Sequence, residues 1–160
     1  MQERQDRLAQ ALLRALAARG HGMAVAESLT GGMLANALVR IPGASRVFQA
    51  GVVAYCNRAK ADMLGVSAGD LTTLGAVSEP VARQMALGLL VAPGIDLGLS
   101  TTGIAGPTGD AFCNTIGLTY IGVAYGKKVE VFEHLFEGDR ESIRQQAVEA
   151  ALRHALDIVK

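Results

Sequence analysis

The chain has 160 residues, enough for one domain with a sizeable core, and half of them are hydrophobic, which excludes a disordered polymer. Lys+Arg and Asp+Glu balance at 15 each and there is no Trp, so neither a basic face nor a base-stacking platform marks it for nucleic acid. The apolar stretches fall short of the ~20 residues that span a membrane. The two cysteines and three histidines lie scattered, without metal-ligand spacing.

Leu8, Leu12, Leu13 and Leu16 place apolar side chains on one face of a first helix, which Gly20 ends. Met23–Ala26 predicts a short buried strand. Ala26-Glu27-Ser28-Leu29-Thr30-Gly31-Gly32 follows, and a helix is predicted over 33–40. Ile41-Pro42-Gly43-Ala44-Ser45 reads as a turn, because Pro cannot continue the helix before it. A second strand is predicted within Phe48–Tyr55. Asn57 is a natural cap for a helix that runs to Leu64 and stops at Gly65. Ser67 and Asp70 stand at capping-box-like spacing before a short helix, and Ser78-Glu79-Pro80 opens the next one. Ile95–Thr102 reads as a third strand, with a Gly-rich loop from Gly103 to Gly109. Leu118–Tyr125 and Val129–Phe136 form a hairpin about Gly126, and Gly138-Asp139 leads into a long final helix. This order predicts a single α/β domain over 1–160. Its mixed, mostly parallel sheet carries helices packed on it and one antiparallel hairpin. The charged N-terminus does not read as a signal peptide, so a cytoplasmic protein with reduced thiols is expected.

Polar residues interrupt this apolar chain at the ends of predicted strands, where ligands gather in open α/β sheets. Ser28 and Thr30 offer hydroxyls, and the Thr30-Gly31-Gly32 backbone, at a helix start, could cradle an anion. The same residues could equally be a tight turn with a Thr cap. Lys60 stands in the first turn of its helix, where a cation opposes the dipole. Desolvated, it could act as a base; otherwise it is a solvated surface lysine. Tyr55 could donate to an oxyanion, or be an aromatic strand residue. Thr102 and Gly103 open the second Gly-rich loop. Arg140 and Arg144, one helical turn apart, suit a phosphate or carboxylate, or are solvated charge.

A set of short motifs runs in order along the chain: Ala-Glu-Ser-Leu-Thr-Gly-Gly at 26–32, Ile-Pro-Gly-Ala-Ser at 41–45 and Gly-Val-Val-Ala-Tyr-Cys-Asn-Arg-Ala-Lys at 51–60. Leu-Gly-Val at 64–66, Gly-Ala-Val-Ser-Glu-Pro-Val-Ala at 75–82, Thr-Gly-Ile-Ala-Gly-Pro at 102–107, and Gly-Asp-Arg with Ile-Arg-Gln-Gln-Ala within 138–147 follow. The set resembles the C-terminal domain family of the competence/damage-inducible protein CinA, the nicotinamide mononucleotide (NMN) deamidase family, in its stand-alone form. The resemblance implies hydrolysis of the NMN carboxamide to nicotinic acid mononucleotide and ammonia, with no metal or organic cofactor. It places the family's polar positions on Ser28, Thr30, Ser45, Tyr55, Lys60, Thr102 and Arg144. Ser28, Tyr55 and Lys60 are then the expected catalytic residues. Thr30, Gly31, Gly32, Ser45, Thr102, Gly103, Arg140 and Arg144 are expected to bind substrate.

The segment 108–116 departs from the family's Gly-rich loop ending in Lys-Pro-Val-Gly, and Cys56 stands where a Ser is usual. Two function classes follow. One is an NMN amidohydrolase, which the intact Ser28, Tyr55 and Lys60 favour. The other is a nucleotide-binding paralogue with weakened or lost turnover, which the altered loop favours. The expected partner is the small-molecule nucleotide, with no nucleic acid and no membrane. A homodimer is expected because two-fold dimers are the commonest oligomers.

Overall fold

The computed structural model describes residues 1–160. Five strands are β1 (Met23–Glu27), β2 (Phe48–Val53), β3 (Leu97–Gly103), β4 (Leu118–Tyr125) and β5 (Lys128–Leu135). Six helices are α1 (Gln2–Ala17), α2 (Met33–Val39), α3 (Asn57–Leu64), α4 (Ala68–Leu74), α5 (Glu79–Leu89) and α6 (Arg140–Val159). The sheet order is β2-β1-β3-β4-β5. β1 pairs parallel with both β2 and β3, whereas β4 runs antiparallel to β3 and to β5. The expected mixed sheet and its hairpin are therefore both present.

Successive side chains of β1 point to opposite faces, and each face has its own helix layer. Met23 and Val25 join Leu97, Leu99, Ile121 and Val123 under α1, α2 and α6. Ala24 and Ala26 turn the other way, toward Leu64, Leu71, Val81, Met85 and Leu89 of α3, α4 and α5. That second face is built of small residues, so α5 lies very close to the sheet. A Cβ on Gly98 would overlap the Ala86 carbonyl oxygen, and one on Gly122 would crowd that of Ala82. Ser100 Oγ donates to the same Ala82 oxygen at 2.7 Å.

The chain leaves β1 toward β2 on one side and returns through α3–α5 to β3 on the other. That reversal marks a topological switch point at β1. The register is level there: Glu27 pairs with Val53 of β2 and Thr101 of β3. The segments after these residues therefore emerge side by side, at the carboxyl edge of the sheet. Most boundaries shift by a residue or two from expectation, and three of the shifts bear on the site or the sheet. β2 stops at Val53, two residues early; Cys56, not Asn57, occupies the cap of α3; β3 starts at Leu97, because Asp96 turns its carboxylate to accept from the Gly22 N–H at 2.8 Å.

Candidate active site

Lys60 is the fourth residue of α3, and its side chain turns inward beneath the carboxyl end of β1. Only 1% of it is exposed. Its Nζ lies 3.0 Å from Ser28 Oγ and 3.0 Å from the Ala54 carbonyl oxygen. Neither partner carries a charge, so little offsets the loss of water around the ammonium. Burial lowers the Lys60 pKa to about 8, against a smaller opposing effect of Cys56 nearby. Ser28 is 8% exposed and directly follows β1. A hydroxyl and an amine of lowered basicity thus share one hydrogen bond.

An open cleft of about 400 Å³ is lined by Leu29, next to Ser28, and by Tyr55, next to Ala54, while Ser28 and Lys60 themselves stay behind its wall. Its other walls are Val77 and the loop from Gly103 to Asp110, with Arg140 from the start of α6. The volume suits a small ligand. Tyr55 is 62% exposed, and its hydroxyl oxygen accepts from Arg140 Nη2 at 2.9 Å. The phenolic proton is therefore free to donate into the cleft. Arg140 Nη1 donates to the Gly106 carbonyl at 2.7 Å, which ties α6 to the loop.

Several expected ligand-binding residues have other duties here. Thr30 is fully buried, with its hydroxyl 2.8 Å from that of Thr101. Thr102 Oγ1 donates to the Ala76 carbonyl at 2.8 Å. Neither side chain lines the cleft: one hydroxyl is spent on a neighbouring side chain, the other on backbone. Arg144 donates to the carbonyls of Leu29 at 2.8 Å and Thr30 at 3.2 Å, and to Glu141 at 3.0 Å. Its guanidinium holds the turn instead of waiting for a phosphate. The anion cradle at Thr30-Gly31-Gly32 is taken in part, and the helix start behind it is occupied. The Gly31 N–H donates to the Ser28 carbonyl, and those of Leu34 and Ala35 donate to the Glu27 carboxylate at 2.8 and 3.1 Å. Glu27, unassigned from sequence, is thus the resident anion at the start of α2. Of the three cradle residues, Thr30 and Gly32 keep N–H groups that donate to no protein group.

Ser45 is not brought to the cleft. It is exposed, in the 3-10 turn Ala44–Arg46 ahead of β2, at the amino edge of the sheet. The length of β1, roughly 15 Å, separates it from Ser28. The start of α3, by contrast, carries no side-chain cap, because Cys56 offers a thiol where Ser would offer an oxygen acceptor. The N–H groups of Asn57, Arg58 and Ala59 donate to no protein group.

The divergent segment 108–116 is tied to itself by Asp110. The carboxylate accepts the N–H groups of Phe112 and Asn114, each at 3.1 Å, and the Asn114 side-chain amide at 2.8 Å. Phe112 packs on Gly75 and Ile116 on Gly106, which seats the loop against its surroundings. No three His, Cys, Asp or Glu side chains gather closely enough to hold a metal ion. No helix is long and apolar enough to cross a membrane.

Residues 5–159 match the family described as CinA C-terminal domain. A curated CinA-like protein of Anaeromyxobacter dehalogenans is 45% identical over 150 residues, 94% of this chain and 37% of that protein. A relative in Caldicellulosiruptor saccharolyticus, provisionally named competence-damage inducible, is 47% identical over 145 residues, 91% of this chain and 35% of its own length. The chain thus spans little more than a third of these curated relatives. Among solved structures, the competence/damage inducible protein CihA from Agrobacterium tumefaciens superposes with a TM-score of 0.93 at 36% identity, covering 98% of this chain and 96% of that one. A CinA superfamily protein from Klebsiella pneumoniae gives 0.93 at 32% identity, with 97% of each chain covered.

Proposed function

Since the chain belongs to the CinA C-terminal domain family, we propose that it is an amidohydrolase that releases ammonia from the carboxamide of NMN. The observation that carries this reading is the buried Lys60 amine within hydrogen-bond reach of Ser28 Oγ. Amide hydrolysis requires a nucleophile, a base for its proton and a donor for the oxyanion. With a pKa of about 8, about a tenth of Lys60 is neutral at pH 7 and able to accept the Ser28 proton. Ser28 Oγ then attacks the carboxamide carbon. Lys60 returns that proton to the departing nitrogen, the C–N bond breaks and ammonia leaves. Water, deprotonated by the neutral Lys60, cleaves the Ser28 ester, and the proton goes back to Oγ. The Tyr55 hydroxyl or the open Thr30 N–H supplies the oxyanion donor, and Arg140 meets the 5′-phosphate.

A second reading, nucleotide binding with little or no turnover, draws support from the rebuilt 108–116 loop beside the cleft. Purified protein incubated with NMN separates the two. The proposed activity gives ammonia and nicotinic acid mononucleotide in equal amounts. Binding without ammonia release sinks the amidohydrolase.

A further inference from the structure

Asp110 and Arg140 are the two charged residues that line the cleft, and they do not neutralise each other. Neither takes part in an ion pair anywhere in the molecule. Arg140 donates to two uncharged oxygens, the Gly106 carbonyl and the Tyr55 hydroxyl. Asp110 accepts from uncharged donors alone, two backbone N–H groups and one side-chain amide. Each therefore brings an unpaired charge, of opposite sign, to the wall of one cleft. Such a cavity suits a ligand that carries both signs at once.

We propose that Asp110 is a specificity-determining residue, the counter-charge for a cationic aromatic ring on a ligand whose anionic group meets Arg140. The inference rests on the NMN reading above, since NMN joins a pyridinium to a phosphate. Burial acts to raise the Asp110 pKa. The hydrogen bonds from Asn114 and Phe112 outweigh it and hold the carboxyl below its usual value, so the charge persists through the neutral range. The loop is also fixed in place, by Phe112 on Gly75 and Ile116 on Gly106, so the charge is placed before a ligand arrives. The exposed Tyr55 ring at the same cleft adds an aromatic surface for a cation. Asp110 lies in the segment where this chain departs from the family pattern. The assignment therefore concerns this chain and not the shared machinery.

The test compares two ligands that differ in ring charge. NMN carries a pyridinium; its dihydro form carries a neutral ring and the same phosphate. Calorimetry at low salt is run on wild type, Asp110→Asn and Asp110→Glu. Asn keeps an acceptor for the Phe112 and Asn114 N–H groups, and Glu keeps the charge. Asp110→Asn is expected to weaken NMN binding about two- to fivefold, a partly exposed charge pair's worth, and to leave the dihydro form unchanged. Asp110→Glu is expected to retain most of the preference for the cationic ring. Equal losses for both ligands, or no loss for NMN, overturn the assignment while ammonia release by wild type still stands. Wild type that binds NMN without releasing ammonia, yet shows the ring-selective loss, keeps the assignment and removes the enzyme. Failure of wild type to bind NMN removes both.

Discussion

Lys60 contributes to folding and to chemistry with opposite signs. Its pKa falls from 10.5 in an exposed chain to about 8 in the fold. Between those values the unfolded chain holds more protons, so stability rises with pH through that window and the burden is fully present below pH 8. The span corresponds to at most about 3 kcal/mol. Denaturant unfolding of wild type against Lys60→Met is expected to move in favour of wild type from pH 8 to pH 10.5. A constant difference would mean that Lys60 keeps an ordinary pKa. Activity follows the same proton. As a base Lys60 must be neutral, so kcat/KM for ammonia release is expected to climb about tenfold per pH unit below pH 8 and level off above it. Lys60→Met and Ser28→Ala are each expected to lower kcat by ~10²-fold or more, and the double variant by little beyond either.

The turn between β1 and α2 is held from both sides, and neither clamp could be read along the chain. Glu27 ends an apolar strand fully buried, where a carboxylate does not serve packing. In the fold it receives the Leu34 and Ala35 N–H groups and acts as an N-terminal cap sent across the turn. Arg144 comes from a helix more than a hundred residues away and grips the Leu29 and Thr30 carbonyls. Spacing along a helix shows which way Arg144 faces; it does not show what will be there. Local patterns did survive. Ser67 accepts the Asp70 N–H at 3.2 Å, Asp139 caps α6 through the Ser142 N–H at 2.8 Å, and Ile143, Ala147 and Ala151 form the buried face of α6. Glu27→Ala, which strips the acceptor from one buried and one partly buried amide, is expected to lower unfolding free energy by about 2–4 kcal/mol. Arg144→Ala is expected to lower kcat more than it raises KM for NMN, because it loosens Ser28 without touching ligand. A rise in KM alone would return Arg144 to the phosphate.

At the scale of the molecule, the sheet was legible because its strands are short apolar runs broken by Gly and Pro, and its carboxyl edge followed from the alternation of strands and helices. The expected catalytic residues Ser28, Tyr55 and Lys60 lie at that edge for that reason, with Lys60 bonded to Ser28 and Tyr55 to Arg140. Ser45 does not, since a turn before β2 must lie at the opposite edge. The expectation of a homodimer changes its grounds. The apolar faces of α1, α2 and α6 are buried within the chain's own core. What stays open is the outer edge of β2, where Gln49, Ala50, Gly51 and Val53 are exposed and no charge or Pro guards Phe48–Val53. Two copies can pair β2 with β2 about a two-fold axis. Light scattering is expected to give twice the 16.7 kDa chain mass, and Ala50→Pro to shift it toward one.

The closeness of α5 to the sheet divides the protein into regions of unequal freedom to vary. Around α1 and α6 the core is filled with Leu, Ile and Val, whose volumes can be exchanged among neighbours when one of them changes. Under α5 no such trade exists, because the atoms in the way at Gly98 and Gly122 include the backbone carbonyls of Ala86 and Ala82. A library randomised across the whole chain would retain broad diversity on the first face and a single letter at these two positions, with even alanine depleted. Divergence among descendants of this sequence is channelled accordingly. The α1–α6 side can drift, while the seam beneath α5 passes on unchanged.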